Sequence, residues 1–237
     1  LERYDNIKQL RQAELNCAAK ALGLAGVISL GYRDSGMRGS PDNKLPDALA
    51  MAPVEEVAEK IVKIFREIKP DVGGCQAPVI GYGHPDHVAT HDGTVKAFYA
   101  AGDPNQFPEA GPAFQSSKLY FGVRPRTAMK IMVKLMPLFG QDPHHFGRNR
   151  DIDLTRTTSV NYPVHAIIRL KEESVEIRNK AAACHASQGM GGGGRRRPGL
   201  FMMLQMIDKF RGPRDYFMRE YPSPNGRRKE KDLFESI

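Results

Sequence analysis

The chain of 237 residues carries a formal net charge of +8 and is 41% hydrophobic and 26% charged. This apolar content is enough for a buried core, which excludes a chain that is disordered throughout. No run approaches about 20 uninterrupted apolar residues and no basic-then-apolar leader is visible, so we expect neither a transmembrane helix nor a secretory signal. Three distant cysteines, Cys17, Cys75 and Cys184, predict no disulfide framework and favour a reducing compartment, the cytoplasm.

The positive charge is concentrated in residues 195–231, which hold eleven Lys/Arg and four Asp/Glu. Such a segment can attract phosphate, nucleic acid or an anionic membrane surface. A solvated surface segment explains the same composition, and no RNA-binding aromatic motif accompanies the charge. We therefore expect no nucleic-acid partner, and a basic binding surface stays an alternative.

The first predicted elements are a helix and a strand. Apolar residues recur at three- and four-residue steps over 5–22, which predicts a helix that Gly23 would end. The apolar run 27–30 is bounded by glycines and predicts a buried strand of a parallel sheet. The turn-rich residues 31–37 would form a loop just past that strand.

Helices and strands then alternate along the chain. Residues 41–53 contain three prolines and predict a loop, after which Pro53 opens a helix that Pro70 would end. The next elements are a strand over 72–80 and a helix over 85–101. This alternation is typical of an α/β fold with a parallel sheet.

The second half predicts fewer elements. Strands are expected over 118–123 and 164–170, and helices over 127–136 and 172–188. Residues 189–199, which include four consecutive glycines, predict a flexible Gly/Arg-rich loop.

The most informative segment is Tyr82-Gly83-His84-Pro85-Asp86-His87. It follows a predicted strand and opens a predicted helix, the position at which α/β sheets bind ligands. The helix dipole favours a neutral imidazole at His87, the form that binds a metal ion, and Asp86 lies close enough to orient a histidine. Two histidines near a helix start are also typical of polar capping groups, so the spacing alone leaves both interpretations open.

The other reactive side chains are weaker candidates. His91 lies one turn further along the same helix, where a histidine facing solvent is expected. His144 and His145 fall in an irregular, Arg-rich stretch and are expected at the surface. Cys184 and His185 are neighbours on a predicted helix and would point about 100° apart, a poor arrangement for a nucleophile and its base.

Four segments of the chain match the motifs of a known family, in the same order. They are Arg11-Gln12-Ala13-Glu14-Leu15, residues 30–37, residues 82–87, and His185-Ala186-Ser187-Gln188. Together they resemble the LmbE-like family of zinc-dependent de-N-acetylases. That family includes N-acetylglucosaminyl-phosphatidylinositol de-N-acetylases and the deacetylase and amidase of mycothiol metabolism. The resemblance implies a Rossmann-like three-layer α/β fold around a parallel sheet, in a single domain over residues 1–237.

The resemblance also implies a role for each site residue. Zn²⁺, or another divalent cation, would be bound through His87. His84 would stabilise the tetrahedral oxyanion and protonate the leaving amine, with Asp86 orienting His84 and Tyr82 adding a hydrogen bond. The implied sugar-binding residues are Arg11, Asp34 and His185.

In the family, an earlier His-Pro-Asp-Asp segment supplies the other two metal ligands and the general base. That motif does not occur in this sequence, and we expect it, with the first strand of the fold, to precede Leu1. The implied activity is removal of an acetyl or similar acyl group from the amide of an N-acetylglucosamine-type sugar or glycoconjugate, by an enzyme that can be a homo-oligomer. The alternative is a catalytically incomplete fragment or homologue that binds a carbohydrate or an acidic partner.

Overall fold

The computed structural model describes residues 6–77, 83–123, 126–145, 153–157, 160–188, 212–226 and 228–237. The chain forms two compact units, the first of residues 1–29 and 169–214 and the second of residues 30–168 and 215–237. The predicted flexible loop 189–199 lies outside the described residues, and the single-domain organisation stays a prediction. Within the described ranges, every helix is too short or too polar to cross a bilayer.

The first unit is built on two helices, α1 (Ile7–Leu22) and α6 (Glu172–Ala183). The Asn6 side chain caps the start of α1 by accepting a hydrogen bond from the N–H of Gln9 at 3.0 Å. Gly23 ends this helix in the left-handed conformation, as its position predicts. The predicted helix 172–188 ends earlier than expected, and a short 3₁₀ turn (Ala186–Gln188) follows it.

A disulfide joins Cys17 of α1 to Cys184 at the end of α6. The expectation that the cysteines form no disulfide is therefore wrong. The two residues are 167 positions apart in sequence, and only tertiary packing brings their Cα atoms to 5.8 Å, within disulfide range. Since the cysteine count no longer argues for a reducing compartment, the cytoplasmic location stays a prediction.

Residues 27–30 do not form the predicted strand. They belong to no strand of the described sheet, and the side chains of Val27 and Ile28 are exposed. An apolar run indicates only that burying the segment would be favourable. Whether a neighbouring strand is available to pair with it is decided by tertiary structure.

The second unit contains a four-stranded sheet in the order β1-β2-β4-β3. The strands are β1 (Val72–Gln76), β2 (Lys118–Val123), β3 (Ala166–Arg169) and β4 (Arg214–Tyr221). β1 and β2 pair in parallel and β4 pairs antiparallel with β2. β3 is antiparallel to β4, because His165 bonds to Phe217 and Leu170 to Pro213, so the partner number falls as the residue number rises. Since β4 is also antiparallel to β2, β3 is parallel to β1 and β2.

The α/β class is therefore confirmed, with one difference. The three predicted strands that form are mutually parallel, and β4, which the sequence does not predict, makes the sheet mixed. β4 is half-buried along its whole length and carries several charged residues. It therefore lacks the continuous apolar run that marks a buried parallel strand.

Helices α2 (Val54–Ile68) and α3 (Pro85–Ala101) cover the sheet, and α4 (Arg126–Leu135) and the single turn α5 (Leu154–Thr157) complete the unit. The core combines apolar residues of α2, α3 and β2, including Ala58, Val62, Phe65, Ala97, Phe98, Leu119, Phe121 and Val123. A Cβ at Gly93 would lie 2.5 Å from Val57, so glycine is needed for the close approach of α2 and α3. The loop before α2 contains two short 3₁₀ helices.

A buried cation holds the end of α3. The guanidinium of Arg66, which is 3% exposed, donates hydrogen bonds of 2.6–3.2 Å to backbone carbonyls. These belong to Ala100, Ala101, Asp103, Gln106, Phe107 and Gly111. Because the carbonyl end of a helix carries partial negative charge, Arg66 satisfies both the charge and the hydrogen bonds of this helix end.

A second buried polar cluster fixes the C-terminal segment to the sheet. The Glu230 carboxylate accepts hydrogen bonds from Lys118 at 3.0 Å, Tyr120 at 2.8 Å and Arg219 at 2.7 Å. Burial would raise the pKa of Glu230, but these three donors outweigh burial and hold the pKa below its ordinary value. The cluster thus stabilises the fold at neutral pH, and its contribution falls as pH drops through the pKa of Glu230 in the folded state.

We expect Arg66→Met to lower the free energy of unfolding by about 3 kcal/mol or more, because it leaves several buried carbonyls without donors. Arg66→Lys should be intermediate, since an ammonium has three donors and no planar fork. Denaturant titration measures both. Lys63→Met, on the exposed face of the same helix, should cost less than about 1 kcal/mol. An equal effect of the Arg66→Met and Lys63→Met changes would show that the carbonyl contacts do not stabilise the fold.

Alkylation of the denatured protein without reductant should modify Cys75 alone, because Cys17 and Cys184 are joined. With reductant, all three cysteines should react. In the native protein Cys75 should react slowly, because burial raises its pKa to about 12 and little thiolate forms at neutral pH. Peptide mass spectrometry measures each modification, and labelling of Cys17 before reduction would rule the disulfide out.

Candidate functional site

Residues 84–87 form the start of α3, as the sequence predicts. His84 is the residue before the helix and Pro85 is the first helical residue. Nδ1 of His84 accepts a hydrogen bond from the backbone N–H of Asp86 at 3.2 Å. Tyr82, the expected oxyanion donor, lies outside the described residues, so its role stays a prediction.

This hydrogen bond determines what His84 offers to the site. A ring nitrogen that accepts a hydrogen bond carries no proton, so neutral His84 bears its proton on Nε2. Nε2 lies 3.8 Å from Oδ1 of Asp34, and the side chains of His84 and Asp34 are 13% and 81% exposed. His84 therefore presents an N–H donor close to the carboxylate of Asp34, the form required of a residue that stabilises developing negative charge.

Asp86 ties the start of α3 to the loop that carries Asp34. Its Oδ2 accepts a hydrogen bond from the N–H of Ser35 at 3.1 Å, and the buried Ser35 hydroxyl accepts one from the N–H of Ala50 at 2.9 Å. Oδ1 of Asp86 is buried and makes no hydrogen bond within the described part of the chain. Because an unsatisfied buried carboxylate oxygen is costly, it indicates that a donor or a cation belongs beside it.

Asp34, His84 and Asp86 together offer a set of metal ligands. One ligand atom of each lies within 4.8 Å of the others. The two carboxylate oxygens are ligands that a divalent metal accepts, whereas His84 could join them only through an Nε2 that had given up its proton. The ring of His87, the expected ligand, lies 5.6 Å from the ring of His84. The assignment of the metal to His87 stays a prediction.

His91 does not face solvent as expected. It is half-buried, its Nδ1 lies 3.1 Å from the carbonyl oxygen of Gln76, and its ring packs on Phe121 with a centroid distance of 4.5 Å. The ring is therefore occupied in packing α3 against the sheet. Sγ of the neighbouring Cys75 lies 3.7 Å from the same nitrogen, and its raised pKa makes it a poor nucleophile.

His144 and His145 lie at the surface, as expected, with side chains 60% and 65% exposed. His145 pairs through Nδ1 with Asp142 at 2.7 Å, and His144 lies 3.5 Å from Asp153. His144 lines a shallow cleft of about 460 Å³, and His145 is the next residue along the chain. The cleft is formed by Pro137, Gly140, Gln141, Asp142, Pro143 and His144. This cleft contains none of the residues expected to act on a substrate.

Arg11 and His185, the other expected substrate-binding residues, lie in the first unit. Arg11 is on α1, is 45% exposed, and has its Nη1 4.0 Å from Oε2 of Glu14. His185 follows α6, and its Nδ1 lies 3.2 Å from Nε2 of Gln188. Since an amide nitrogen can only donate, His185 accepts at Nδ1 and presents an Nε2–H donor.

Glu14, which the sequence analysis does not single out, lies next to the expected substrate-binding residue Arg11. It is 6% exposed, and its carboxylate accepts hydrogen bonds from the backbone N–H and the hydroxyl of Ser187 at 2.7 and 2.8 Å. The Ser187 N–H is the largest cause that lowers the pKa of Glu14, against the opposing effect of burial. The i, i+3 spacing of Arg11 and Glu14 is a visible signal, but Ser187 is 173 positions away from Glu14 and no local pattern connects them.

Comparison with known proteins gives one family match and a series of relatives. The family described as "GlcNAc-PI de-N-acetylase" matches residues 1–98. A 1D-myo-inositol 2-acetamido-2-deoxy-alpha-D-glucopyranoside deacetylase of Frankia casuarinae is 42% identical over 123 residues, 50% of this chain and 40% of the relative. The enzyme of the same name from Rhodococcus erythropolis is 32% identical over 193 residues, 78% of this chain and 62% of the relative.

The chain thus spans about half the length of the curated relatives it matches. Among solved structures, a conserved protein of Thermus thermophilus aligns with a TM-score of 0.54 and 18% identity. The alignment covers 93% of this chain and 77% of that protein. At this identity the likeness shows a shared fold.

Asp86→Asn should weaken Zn²⁺ binding by about tenfold or more, because it removes a negative charge and the unsatisfied carboxylate oxygen beside the candidate ligands. Titration calorimetry with ZnCl₂ measures the change. The matched control is Asp92→Asn, an exposed residue on the same helix, which should leave the affinity unchanged. Equal affinities for the Asp86 variant and the unaltered protein would show that Asp86 does not contribute to a metal site.

Proposed function

We propose that the protein is a member of the LmbE-like family and a zinc-dependent hydrolase of an N-acetylglucosamine-type amide, because the GlcNAc-PI de-N-acetylase family matches residues 1–98 and a named deacetylase is 42% identical over 123 residues. It would remove the acetyl, or a similar acyl, group by hydrolysis of the linear amide bond. The names of the relatives, deacetylases of an inositol-linked 2-acetamido-2-deoxy-glucopyranoside, support both the reaction and the sugar class. The substrate is accordingly a small N-acetylated sugar or glycoconjugate.

The observation that carries the proposal is the arrangement of His84 between two carboxylates at the start of α3. Its Nε2–H lies 3.8 Å from Asp34, and its Nδ1 lies 3.2 Å from the N–H and 3.9 Å from Oδ2 of Asp86. The backbone N–H of Asp86 thus donates to Nδ1 when the ring is neutral, and Oδ2 of Asp86 can accept from Nδ1 when the ring is protonated. Hydrolysis of an amide needs both forms, one to bind the oxyanion and one to protonate the leaving nitrogen.

When bound, Zn²⁺ supplies Lewis-acid activation of the water and of the amide carbonyl. By the family resemblance it would be held by His87, and the cluster of Asp34, His84 and Asp86 supports a divalent cation at this helix start. His84 is then left for hydrogen bonding, since its Nε2 carries a proton. By the same resemblance, Tyr82 adds a hydrogen bond to the oxyanion.

Sugar recognition is assigned to Arg11, Asp34 and His185. A guanidinium and a carboxylate each bind two neighbouring hydroxyl groups, the first by donating and the second by accepting. Their exposure supports this role, because Arg11 is 45% and Asp34 81% exposed. The cytoplasmic location and self-association of the enzyme stay predictions.

A basic surface that binds nucleic acid or membrane receives less support. In the described part of residues 195–231, Arg219 pairs with Glu230 at 2.7 Å and Arg228 pairs with Glu235. In these pairs the positive charge is balanced by a carboxylate of the protein itself, which leaves less of it to attract an anionic partner. A non-catalytic sugar-binding homologue is the remaining alternative, and it would bind the sugar without releasing acetate.

Two histidine variants test the proposal. His84→Ala should retain zinc and lose about two or more orders of magnitude in turnover, because the oxyanion donor and proton source are removed. His87→Ala should lose zinc and turnover together. The measurements are zinc stoichiometry by elemental analysis and acetate release from an N-acetylglucosaminyl-inositol.

Each variant has an outcome that contradicts its assigned role. Normal turnover of the His84 variant would remove it from the chemistry, and unchanged zinc content of the His87 variant would remove it from the ligands. Sugar binding by the unaltered, zinc-loaded protein without acetate release would favour the non-catalytic alternative. His144→Ala is the matched control, since this exposed histidine lies in the cleft described above.

A further inference from the structure

Glu14 is a buried carboxylate whose position differs from that of its neighbours on α1. Its side chain is 6% exposed, whereas Arg11, one turn earlier, is 45% exposed. A buried carboxylate is retained only where partners repay the cost of its desolvation. The proposed chemistry does not use Glu14, so its partners indicate what it does.

Ser187 satisfies Glu14 from two directions. The backbone N–H donates to Oε1 at 2.7 Å, and the hydroxyl donates to Oε2 at 2.8 Å. Such two-point, charge-assisted bonding fixes direction as well as distance. It lowers the pKa of Glu14, so the carboxylate is charged at neutral pH.

Two of the three residues assigned to the sugar adjoin this pair, one through space and one along the chain. Arg11 lies 4.0 Å from Oε2 of Glu14, and His185 lies two residues before Ser187 on the segment that the pair holds. The disulfide Cys17–Cys184 joins the same two helices nearby, so the helices stay connected if the pair is broken. Loss of the pair would therefore free the local side chains without separating α1 from α6.

We propose that Glu14 and Ser187 form a positioning pair that holds the Arg11 guanidinium and the His185 imidazole ready for an N-acetylated amino sugar. This inference rests on the proposed function and extends it to two residues that touch neither the metal nor the amide. Because the pair orders the long Arg11 side chain in advance, sugar binding costs less conformational entropy. Loss of the pair should therefore weaken sugar affinity more than it slows the chemical step.

The test is the separate measurement of KM and kcat for N-acetylglucosaminyl-inositol. Glu14→Gln should raise KM about tenfold and change kcat less than about twofold, since ground-state binding is lost and the amide chemistry is not touched. Ser187→Ala should raise KM about threefold, and Ser187→Thr, which keeps the hydroxyl, should restore it. Gln12→Ala, an exposed change on the same helix, is the control.

Two further measurements separate positioning from a merely structural role. The effects of Glu14→Gln and Arg11→Ala on KM should be less than additive, because the first acts through the second. Zinc content should be unchanged in every variant. The inference is overturned if KM stays unchanged, if KM and kcat change together with a lowered Tm, or if Ser187→Thr fails to restore KM.

Failure of the proposed function has a different signature. If the unaltered protein releases no acetate, calorimetry with N-acetylglucosamine decides the inference. A tenfold weaker affinity in Glu14→Gln supports the positioning pair in a sugar-binding protein. Absence of binding to the unaltered protein overturns both proposals.

Discussion

The buried guanidinium of Arg66 is the interaction on which the second unit depends. It binds the last carbonyls of α3 and those of the turn beyond, so a single cation closes the negative end of this helix. The opposite, positive end carries Asp86 in its first turn. Both ends of the helix dipole are thus compensated, and the helix that carries the candidate site is fixed at the end remote from the chemistry.

In each unit, candidate site residues are held by hydrogen bonds between backbone groups and side chains that are far apart in sequence. Asp86 binds the N–H of Ser35, and Glu14 binds the N–H and hydroxyl of Ser187 in the other unit. In each pair a carboxylate that is buried or nearly so accepts a hydrogen bond from the backbone of a distant segment and fixes it. Such bonds position neighbouring groups, Asp34 in one case and His185 in the other, without restricting the exposed side chains that would contact a substrate.

Much of the fold follows from local patterns. The helix 85–101 and the strand 118–123 have the predicted bounds, because Pro85 marks a helix start and the strand is a continuous buried run. The strand expected at 27–30 is wrong and β4 is missed, because strand formation needs a partner that no local window contains. Of the site, the sequence identifies His84, Asp86 and Asp34 but neither Ser35 nor Glu14.

The sequence by itself determined where the candidate site begins, because periodicity and proline define the start of α3 and the ordered motifs place reactive side chains there. Tertiary structure decided how those side chains are used. The proton on Nε2 of His84 depends on its contact with the N–H of Asp86, the Cys17–Cys184 bond on helix packing, and the burial of Glu14 on Ser187. The physical reason is that protonation, pairing and burial depend on neighbours in space, whereas propensity and spacing depend on neighbours in the chain.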